Sequence, residues 1–348
     1  MSALEQVWYG ESSGARLGRA ALWPAEQLYS AAVRLRGAMY DRGVLRTMEA
    51  PVPVLSVGNL TVGGTGKTPV AAWAVSQLRE RGAHPAVVLR GYGDDEPRVH
   101  ELLNPDATVV RDANRVRGAR TAQAAGADCV VLDDAFQHRR IARTADWVLV
   151  SAERVSRTTH VLPAGPLREP PAALGRADLA IVTRKTATLE RAVAVAERIE
   201  SAAHTPAAIV HLTPDSLVDA HEGTRRALEH LRGARVVAVA GVGEPEAFFT
   251  QVRELGARDV RSVAFRDHHA FTAADVARLL HFAASADAVV CTLKDAVKLA
   301  PQWPARVAPL WYVSQRAVIE RGAHLLNASL ALVLAARGNT PSTAGAAG

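Results

Sequence analysis

The chain has 348 residues, more than the roughly 250–300 at which one hydrophobic core stops growing, so two domains are expected. Its 41 Lys and Arg against 35 Asp and Glu give a formal net charge of +6, which favours an acidic partner such as a nucleotide, a nucleic acid, an anionic lipid surface or a phosphorylated substrate. The two cysteines, Cys129 and Cys291, are far apart, which excludes a disulfide framework or a zinc site and is typical of a reducing cytoplasm. No apolar run reaches the ~18–20 residues that a membrane-spanning helix requires, and no signal-peptide layout is present.

The first predicted element is an amphipathic helix near the N-terminus. Pro24 is predicted to lie in its first turn. One helical stripe then carries the apolar side chains Leu28, Ala32, Leu35 and Met39. Off the stripe lie the arginines Arg34, Arg36 and Arg42. This pattern suits a helix lying in a membrane interface, and it suits equally a helix that packs its stripe on the domain core.

Residues 52–69 predict a buried strand, a glycine-rich turn and the start of a helix. Such a turn binds phosphates because its backbone N–H groups and the positive helix N-terminus face the anion. Lys67 is placed to reach the β- and γ-phosphates, and Thr68 to ligate Mg²⁺. The other loop residues expected to contact nucleotide are Gly63, Gly64, Thr65 and Gly66. The general pattern has glycine where this chain has Thr61, and the alternative is an ordinary glycine-rich turn. Lysine occurs only at 67, 185, 294 and 298, which argues against incidental surface charge.

A second apolar strand, from Cys129, ends in the paired carboxylates Asp133 and Asp134. Beside a phosphate loop, carboxylates at the end of a neighbouring strand hold or orient Mg²⁺. A paired Asp taken alone is commonly a turn or a helix cap. Gln137 and His138 follow within a basic stretch, where His138 either contacts substrate or caps a turn.

Residues 162–170 are too rich in proline and glycine for a helix or a central strand, so they predict a shaped loop. The loop presents Arg168 and Glu169, which suit an anion and a metal respectively. A simple surface connection is the other interpretation.

Short β-like runs alternate with helical patterns along the chain, which predicts a parallel, doubly wound α/β sheet. The ten runs are 52–57, 86–90, 129–133, 147–150, 179–183, 207–212, 235–241, 260–265, 288–292 and 310–314. Near residue 235 a further predicted strand begins, and the glycines that follow it indicate the start of a second α/β unit. The expected limits are 1–210 for a first domain that includes the N-terminal helix (1–45), 211–233 for a linker, 234–337 for a second α/β domain, and 338–348 for a disordered tail.

In the second domain, a strand ends at Asp267, His268 and His269, and Thr272 with Asp275 has the spacing of a capping box at a helix start. Asp beside His at a strand's carboxyl end is where a base and its partner would face a crevice.

Together these motifs closely resemble the tetraacyldisaccharide 4′-kinase family over almost the whole chain. The resemblance is carried by the segments 7–10, 57–69, 90–93, 95–97, 133–138, 162–169, 241–243, 267–269 and 294–299. It is specific because the family's Asn-Leu-Thr-Val-Gly-Gly loop, with threonine at the unusual position, stands unaltered at 59–64.

The resemblance implies a P-loop NTPase-type parallel sheet domain with a second, smaller Rossmann-like α/β domain. It implies phosphoryl transfer from ATP, with Mg²⁺, to the 4′-hydroxyl of a lipid A disaccharide 1-phosphate by a monomer at the cytoplasmic face of the inner membrane. Asp95 would be the catalytic base and His268 its partner. Thr68, Asp133, Asp134 and Glu169 would contribute to the metal site or its surroundings. The substrate and phosphate region would be lined by Asn59, Tyr92, Arg115, Gln137, His138 and Arg168.

Three other classes compete with a lipid kinase. A membrane-associated partitioning ATPase shares the Gly-Gly-x-Gly-Lys-Thr ending, but such proteins typically carry a signature lysine where this chain has Val62 and have one α/β domain. A GTPase would need an Asn-Lys-x-Asp element, which the sequence lacks. A nucleic-acid-binding module would use the basic charge, but no nucleic-acid-reading motif accompanies it.

Overall fold

The computed structural model of the protein describes residues 3–91, 95–155, 159–243, 245–267, 269–304 and 307–339. Its strands, in chain order, are β1 (Val54–Asn59), β2 (Pro85–Leu89), β3 (Thr108–Arg111), β4 (Cys129–Asp133), β5 (Ala145–Ser151), β6 (Leu179–Arg184), β7 (Ala207–Asp219), β8 (Arg225–Arg226), β9 (Arg235–Ala240), β10 (Asp259–Ala264), β11 (Ala288–Cys291) and β12 (Leu310–Arg321).

The α-helices are α1 (Ala3–Tyr9), α2 (Ser13–Asp41), α3 (Lys67–Glu80), α4 (Asp95–Leu103), α5 (Arg115–Ala124), α6 (Leu189–Ala203), α7 (Pro245–Glu254), α8 (Ala273–Ala283), α9 (Leu293–Leu299) and α10 (Ala323–Ala336). In the described part of the chain, no helix is both long and apolar enough to cross a membrane.

The chain divides into two compact units. The first contains residues 1–90, 106–210 and 319–348, and its strands pair in the order β6-β5-β1-β4-β2-β3. Every pairing given for this order is parallel. The strands are apolar and almost wholly buried, as expected for a parallel sheet covered by helices on both faces.

The second unit contains residues 91–105 and 211–318. Its strands β10, β9, β11 and β12 pair in that order and in parallel. Helix α8 begins at a complete capping box, in which the side chains of Thr272 and Asp275 exchange hydrogen bonds with each other's backbone N–H. The predicted α/β class with a largely parallel sheet is therefore confirmed.

The grouping of residues differs from the predicted domain limits in three places. Residues 91–105 group with the second unit because α4 packs on α9. Residues 319–339 return to the first unit, where the Trp147 indole donates to Ser329 Oγ of α10 at 2.7 Å. The expected linker at 211–233 also contains the end of β7 and all of β8, which pair antiparallel.

Two further predictions concern the N-terminal helix and the C-terminal tail. Pro24 was expected in a first helical turn, and this is wrong, because α2 begins at Ser13 and Pro24 lies in its interior. The N-cap is Ser12, whose Oγ accepts a hydrogen bond from Ala15 N at 3.2 Å. Of the tail, residues 340–348 lie outside the described residues.

Candidate functional site: a phosphate loop

The glycine-rich turn joins β1 to α3 in the first unit, at the carboxyl end of the sheet. Gly63 and Gly66 have φ of +111° and +79°. A side chain is disfavoured at both angles, so glycine is required there for the backbone to turn. Gly66 is the N-cap of α3, and Lys67 and Thr68 form the first turn of the helix. The loop therefore presents a helix N-terminus and a lysine to the same region, which is the geometry of an anion site.

Buried hydrogen bonds from β1 and β6 hold the phosphate loop in place. The Asn59 amide donates to Thr65 Oγ1 at 2.8 Å, and Thr183 Oγ1 donates to Thr65 O at 2.8 Å. Asn59 is completely buried, so the structure gives its side chain a contact within the loop, and its predicted substrate contact stays a prediction. Lys185 Nζ donates to Gly64 O at 3.3 Å. Sequence reasoning did not assign Thr183 or Lys185 to the site, although the scarcity of lysine was a signal for Lys185.

Thr68 and Asp133 come together because β1 and β4 are parallel neighbours, with Val57 opposite Asp133. Thr68 Oγ1 donates to Asp133 Oδ2 at 3.1 Å, and both residues are buried. The Arg115 guanidinium, which is 2% exposed, lies against Asp112 O at 2.8 Å and Asp133 O at 3.5 Å. A hydroxyl and a carboxylate are hard oxygen donors of the kind Mg²⁺ prefers.

Asp134 lies between two cations. Its carboxylate is 3.5 Å from Lys67 Nζ and accepts from Arg168 Nη1 at 2.9 and 3.0 Å. Burial acts to raise the pKa of Asp134, but Lys67 and Arg168 outweigh it and hold that pKa below its ordinary value. Asp134 has φ of +52°, a left-handed backbone that an aspartate tolerates better than most residues. The carboxylate therefore stays ionised and orients the lysine.

The segment from His160 to Glu169, here called loop 160–169, forms backbone hydrogen bonds with the residues just before Gly63 and Gly64. Val62 N donates to Pro166 O at 2.8 Å, and Arg168 N donates to Leu60 O at 2.6 Å. Thr61 pairs with Leu167 as an isolated antiparallel bridge, so the residue that departs from the general phosphate-loop pattern occupies a β-like pairing. The segment is thus a fixed wall of the site and not a simple surface connection.

Glu169 is buried and bound to an arginine. Arg176 donates to both of its carboxylate oxygens, at 2.6 and 2.9 Å, and also to Phe136 O at 3.0 Å. The two oxygens that were predicted to serve a metal or its surroundings are therefore held by Arg176. In this arrangement Glu169 fixes the end of loop 160–169 beside Arg168.

Gln137 and His138 follow Asp133 and Asp134 in the chain, and both lie near arginines of the site. Gln137 Nε2 donates to Asn59 O at 2.9 Å, and its Oε1 accepts from Arg168 Nη1 at 3.4 Å. Burial, followed by the charges of Arg115, Arg143, Arg36 and Arg90, lowers the pKa of His138 to about 4. His138 is therefore neutral near pH 7 and offers a hydrogen bond, not a charge.

The predicted catalytic base lies in the second unit. Asp95 begins α4 and is 5% exposed, and Lys298 Nζ of α9 lies 4.0 Å from its Oδ2. Lys298 is also 3.6 Å from the buried Asp295, whose Oδ2 accepts from Gly241 N at 2.9 Å. Sequence reasoning assigned no role to Lys298. The predicted partner His268 and the predicted substrate residue Tyr92 lie outside the described residues.

Comparisons with known proteins identify the family. A family model described as tetraacyldisaccharide-1-P 4′-kinase, LpxK, matches residues 18–333. Tetraacyldisaccharide 4′-kinase of Anaeromyxobacter dehalogenans strain 2CP-C is 39% identical over 360 residues, covering 95% of each chain. The same enzyme of Halorhodospira halophila is 38% identical over 296 residues, covering 80% of this chain and 83% of the relative.

Among solved structures, LpxK of Aquifex aeolicus in complex with ATP superimposes with a TM-score of 0.71 at 24% identity, covering 90% of this chain and 99% of that one. This likeness confirms the fold. The family match favours a kinase over the partitioning ATPase considered from sequence. The chain belongs to the LpxK family of tetraacyldisaccharide-1-P 4′-kinases.

Proposed function

We propose that this protein transfers the γ-phosphoryl group of ATP to the 4′-hydroxyl of tetraacyldisaccharide 1-phosphate, the lipid A disaccharide, and that it does so as a monomer. The observation that carries the proposal is the phosphate loop, with Lys67 and Thr68 set against Asp134 and Asp133 in a member of this kinase family. The relative of known structure was solved with ATP, which supports the same nucleotide here.

Phosphoryl transfer depends chiefly on alignment and on neutralising charge at the transferring group. Lys67, at the N-terminus of α3, supplies a positive charge and the loop supplies backbone N–H groups. Asp134 and Arg168 hold Lys67 in place, since the carboxylate lies between the two cations. The site is thereby organised before a ligand enters it.

The residues present fit Mg²⁺. Thr68 Oγ1 and the Asp133 carboxylate would hold the ion, which would supply positive charge to offset the charge of the transferring phosphate group. Across the described residues there is no cluster of three or more His, Cys, Asp or Glu suited to a metal, but Mg²⁺ in a nucleotide site uses one or two carboxylates together with the phosphates. Arg115, on the Asp133 carbonyl, and Glu169, on Arg176, keep the surrounding chain in position.

Asp95 is proposed to accept the proton of the attacking 4′-hydroxyl, with His268 as its partner. A sugar hydroxyl is a weak nucleophile, so a positioned base is needed. The buried Asp95 at the start of α4 offers a carboxylate for that task, and Lys298 Nζ lies 4.0 Å from its Oδ2. Tyr92, Gln137 and the neutral His138 are proposed to contact the substrate, as are Asn59, Arg115 and Arg168 in the phosphate region.

The protein is proposed to work at the cytoplasmic face of the inner membrane. Four large apolar side chains of α2 are exposed to solvent: Leu17, Leu28 and Leu35 are 71%, 75% and 63% exposed, and Trp23 is 56% exposed. The three leucines lie within a narrow stripe of the helix, because their spacings of eleven and seven residues are close to whole numbers of turns. An exposed apolar stripe flanked by arginines supports interfacial binding over core packing.

A kinase assay with a matched control tests the chemistry. With Mg-ATP and detergent-dispersed tetraacyldisaccharide 1-phosphate, Asp95→Asn is expected to lower kcat by roughly 10²–10⁴-fold while ATP binding changes little. Glu96→Gln neutralises the next carboxylate of the same helix, one that pairs with Lys294 at 3.5 Å, and should retain most of the turnover. Absence of transfer by the wild-type protein, with ATP bound normally, would contradict the proposal.

Membrane binding is tested by point changes, because deleting the N-terminal helix would also remove Tyr29, whose hydroxyl donates to Arg168 O at 2.8 Å. Leu28→Ser with Leu35→Ser should reduce sedimentation with anionic vesicles. Val44→Ser changes a side chain that is 64% exposed but lies beyond α2, and it should sediment as the wild type does. Equal sedimentation of all three proteins would count against the interface.

A further inference from the structure

Within the second unit, two lysines of helix α9 contact the first turn of helix α4, which packs on it. Lys294 Nζ lies 3.5 Å from Glu96 Oε1, and Lys298 Nζ lies 4.0 Å from Asp95 Oδ2. Residues four apart in a helix are neighbours on one face, so the two lysines meet two consecutive carboxylates from the same side of α9. The carboxylate proposed as the base is therefore one of a pair that α9 contacts with cations.

The ammonium group of Lys298 lies beside two carboxylates and an aromatic ring. Its side chain is 16% exposed, and Nζ is 3.6 Å from Asp295 Oδ1 as well as 4.0 Å from Asp95 Oδ2. Both distances are longer than a hydrogen bond and are those of an ion pair. Nζ also lies 5.5 Å from the centroid of the Phe271 ring, which attracts a cation. Charge therefore holds this ammonium in a largely buried place.

Asp295 is a fixed partner for that ammonium. It is completely buried, and its Oδ2 accepts hydrogen bonds from Gly241 N at 2.9 Å and from Thr292 Oγ1 at 2.7 Å. Burial raises the pKa of Asp295, while these two hydrogen bonds and Lys298 oppose the rise. The carboxylate can turn only by breaking both hydrogen bonds. It therefore gives Lys298 a constant point of attraction.

The direction of the base matters for the reaction. A misplacement of about 1 Å can lower a rate roughly 10²-fold, because the reacting atoms are no longer aligned. Asp95 is the first residue of α4, so the helix continues on one side of it only, and it is 5% exposed. A contact that fixes its side chain from another element would aim the carboxylate. Lys298 supplies such a contact from α9.

We propose that Lys298 is a positioning residue for the phosphoryl transfer, an inference that rests on the proposed function. Asp295 holds the Lys298 ammonium, and the ammonium holds the Asp95 carboxylate in the direction from which it accepts the proton of the attacking hydroxyl. Lysine suits this place because its ammonium is a compact point charge on a long stem, whereas the guanidinium of arginine is a wide planar fork. Of the four lysines in the chain, Lys67 and Lys185 contact groups of the phosphate site, and Lys298 is then the third that serves the reaction.

A double-variant cycle tests whether Lys298 acts through Asp95. Lys298→Met keeps the stem and removes the charge, and Lys298→Arg keeps the charge. The matched control is Lys294→Met, the same change one turn earlier on α9, against Glu96. Each variant is assayed with Mg-ATP and detergent-dispersed tetraacyldisaccharide 1-phosphate, and Lys298→Met is also combined with Asp95→Asn. The kcat and both KM values are measured for every protein.

Lys298→Met is expected to lower kcat roughly 10–100-fold and to change either KM less than about threefold, because a misdirected base slows the chemical step and leaves binding intact. Lys298→Arg should recover part of the lost kcat, and Lys294→Met should retain most of the wild-type value. In the Asp95→Asn background, Lys298→Met should lower kcat by less than about twofold, because no base is left to aim. An undiminished effect in that background, or equal kcat values for Lys298→Met and Lys294→Met, would overturn the proposal.

The alternative is that Lys298 serves only to neutralise the buried Asp295. Combining Lys298→Met with Asp295→Asn separates the two roles, since a neutral amide needs no cation and its oxygen can still accept from Gly241 N. The urea midpoint of unfolding should fall in Lys298→Met and return towards wild type in the combined variant. Its kcat should stay low if Lys298 positions Asp95. Recovery of kcat together with stability would assign Lys298 a structural role and overturn the proposal.

Failure of the proposed function gives a different result. If the wild-type protein transfers no phosphate to the disaccharide while it binds ATP normally, the proposed function fails and the positioning role falls with it. Normal transfer by wild type with equal kcat for Lys298→Met rejects only the positioning role.

Discussion

The ion pair between Arg176 and Glu169 provides a sharp test of how the site is held. Glu169 has a side chain that is 10% exposed, and Arg176 donates to both carboxylate oxygens and lies with its Cζ 3.9 Å from the centroid of the Phe136 ring. Replacing Arg176 by Met keeps most of the volume but leaves a buried carboxylate without this partner. Breaking a buried pair costs about 3–5 kcal/mol.

We expect the lower end of that range, about 3 kcal/mol of unfolding free energy, because the Arg176 side chain is 23% exposed and water can partly replace it. The measurement is urea-induced unfolding followed by circular dichroism, for wild type, Arg176→Met, Glu169→Gln and the double variant. Since the neutral amide no longer requires a cation, Arg176→Met should cost about 2 kcal/mol less in the Glu169→Gln background.

If the losses of unfolding free energy in the two single variants add up to that of the double variant within about 0.5 kcal/mol, Arg176 does not serve to neutralise Glu169. The kinase assay supplies an independent check. If Glu169→Gln raises the Mg²⁺ concentration needed for half-maximal activity while leaving stability unchanged, Glu169 serves the metal directly and the positioning role assigned to it is wrong.

Three further predictions concern the loop, a cap and a histidine. Gly66→Ala should lower the free energy of unfolding by about 1–2 kcal/mol because φ is +79°, and should weaken ATP binding measured by calorimetry. Gly82→Ala is the control: Gly82 has the same φ with open space around it, so the substitution should lower stability by a similar amount and leave ATP binding intact. Thr272→Ala should lower the unfolding free energy by about 1 kcal/mol through loss of the α8 cap, whereas an unchanged urea midpoint would show the cap to be dispensable. For His138, the pKa in the folded protein is lowered from 6.5 to about 4, so the unfolded chain takes up a proton first as the pH falls. The free energy of unfolding should therefore decrease between pH 6.5 and pH 4, by up to about 1.4 kcal/mol per pH unit. Above pH 6.5 it should be fully retained. His138→Gln should flatten that dependence in unfolding measurements from pH 7 to pH 4, and an identical slope in both proteins would contradict the assignment.

Much of the fold was predictable because its strands are buried on both faces. Runs such as Cys129–Asp133 are continuous and apolar, and all ten β-like runs correspond to strands. The strands that were missed, Thr108–Arg111 and Arg225–Arg226, are short and partly or fully exposed, so they carry no such pattern. Pro24 was misplaced because a proline is common in the first turn of a helix, whereas here Ser12 provides the cap twelve residues earlier.

The candidate site was predictable where its residues are adjacent in sequence. Lys67, Thr68, Asp133 and Asp134 were found from the two strand ends, and the parallel pairing of β1 with β4 brings them together. Lys185 was not assigned, because its contact with Gly64 O depends on which strand ends lie near the loop. Local patterns carry no information on such distant neighbours.

By itself, the sequence determined the phosphate loop, the α/β class and the kinase family, because these rest on residues close together in the chain and on strongly apolar strands. Only the tertiary structure decided that Thr61 pairs with Leu167, that Arg176 holds Glu169, that the leucines of α2 face outward, and that the Lys298 ammonium lies beside Asp95. Each of these depends on packing between segments far apart in sequence, where burial and charge decide which side chains meet.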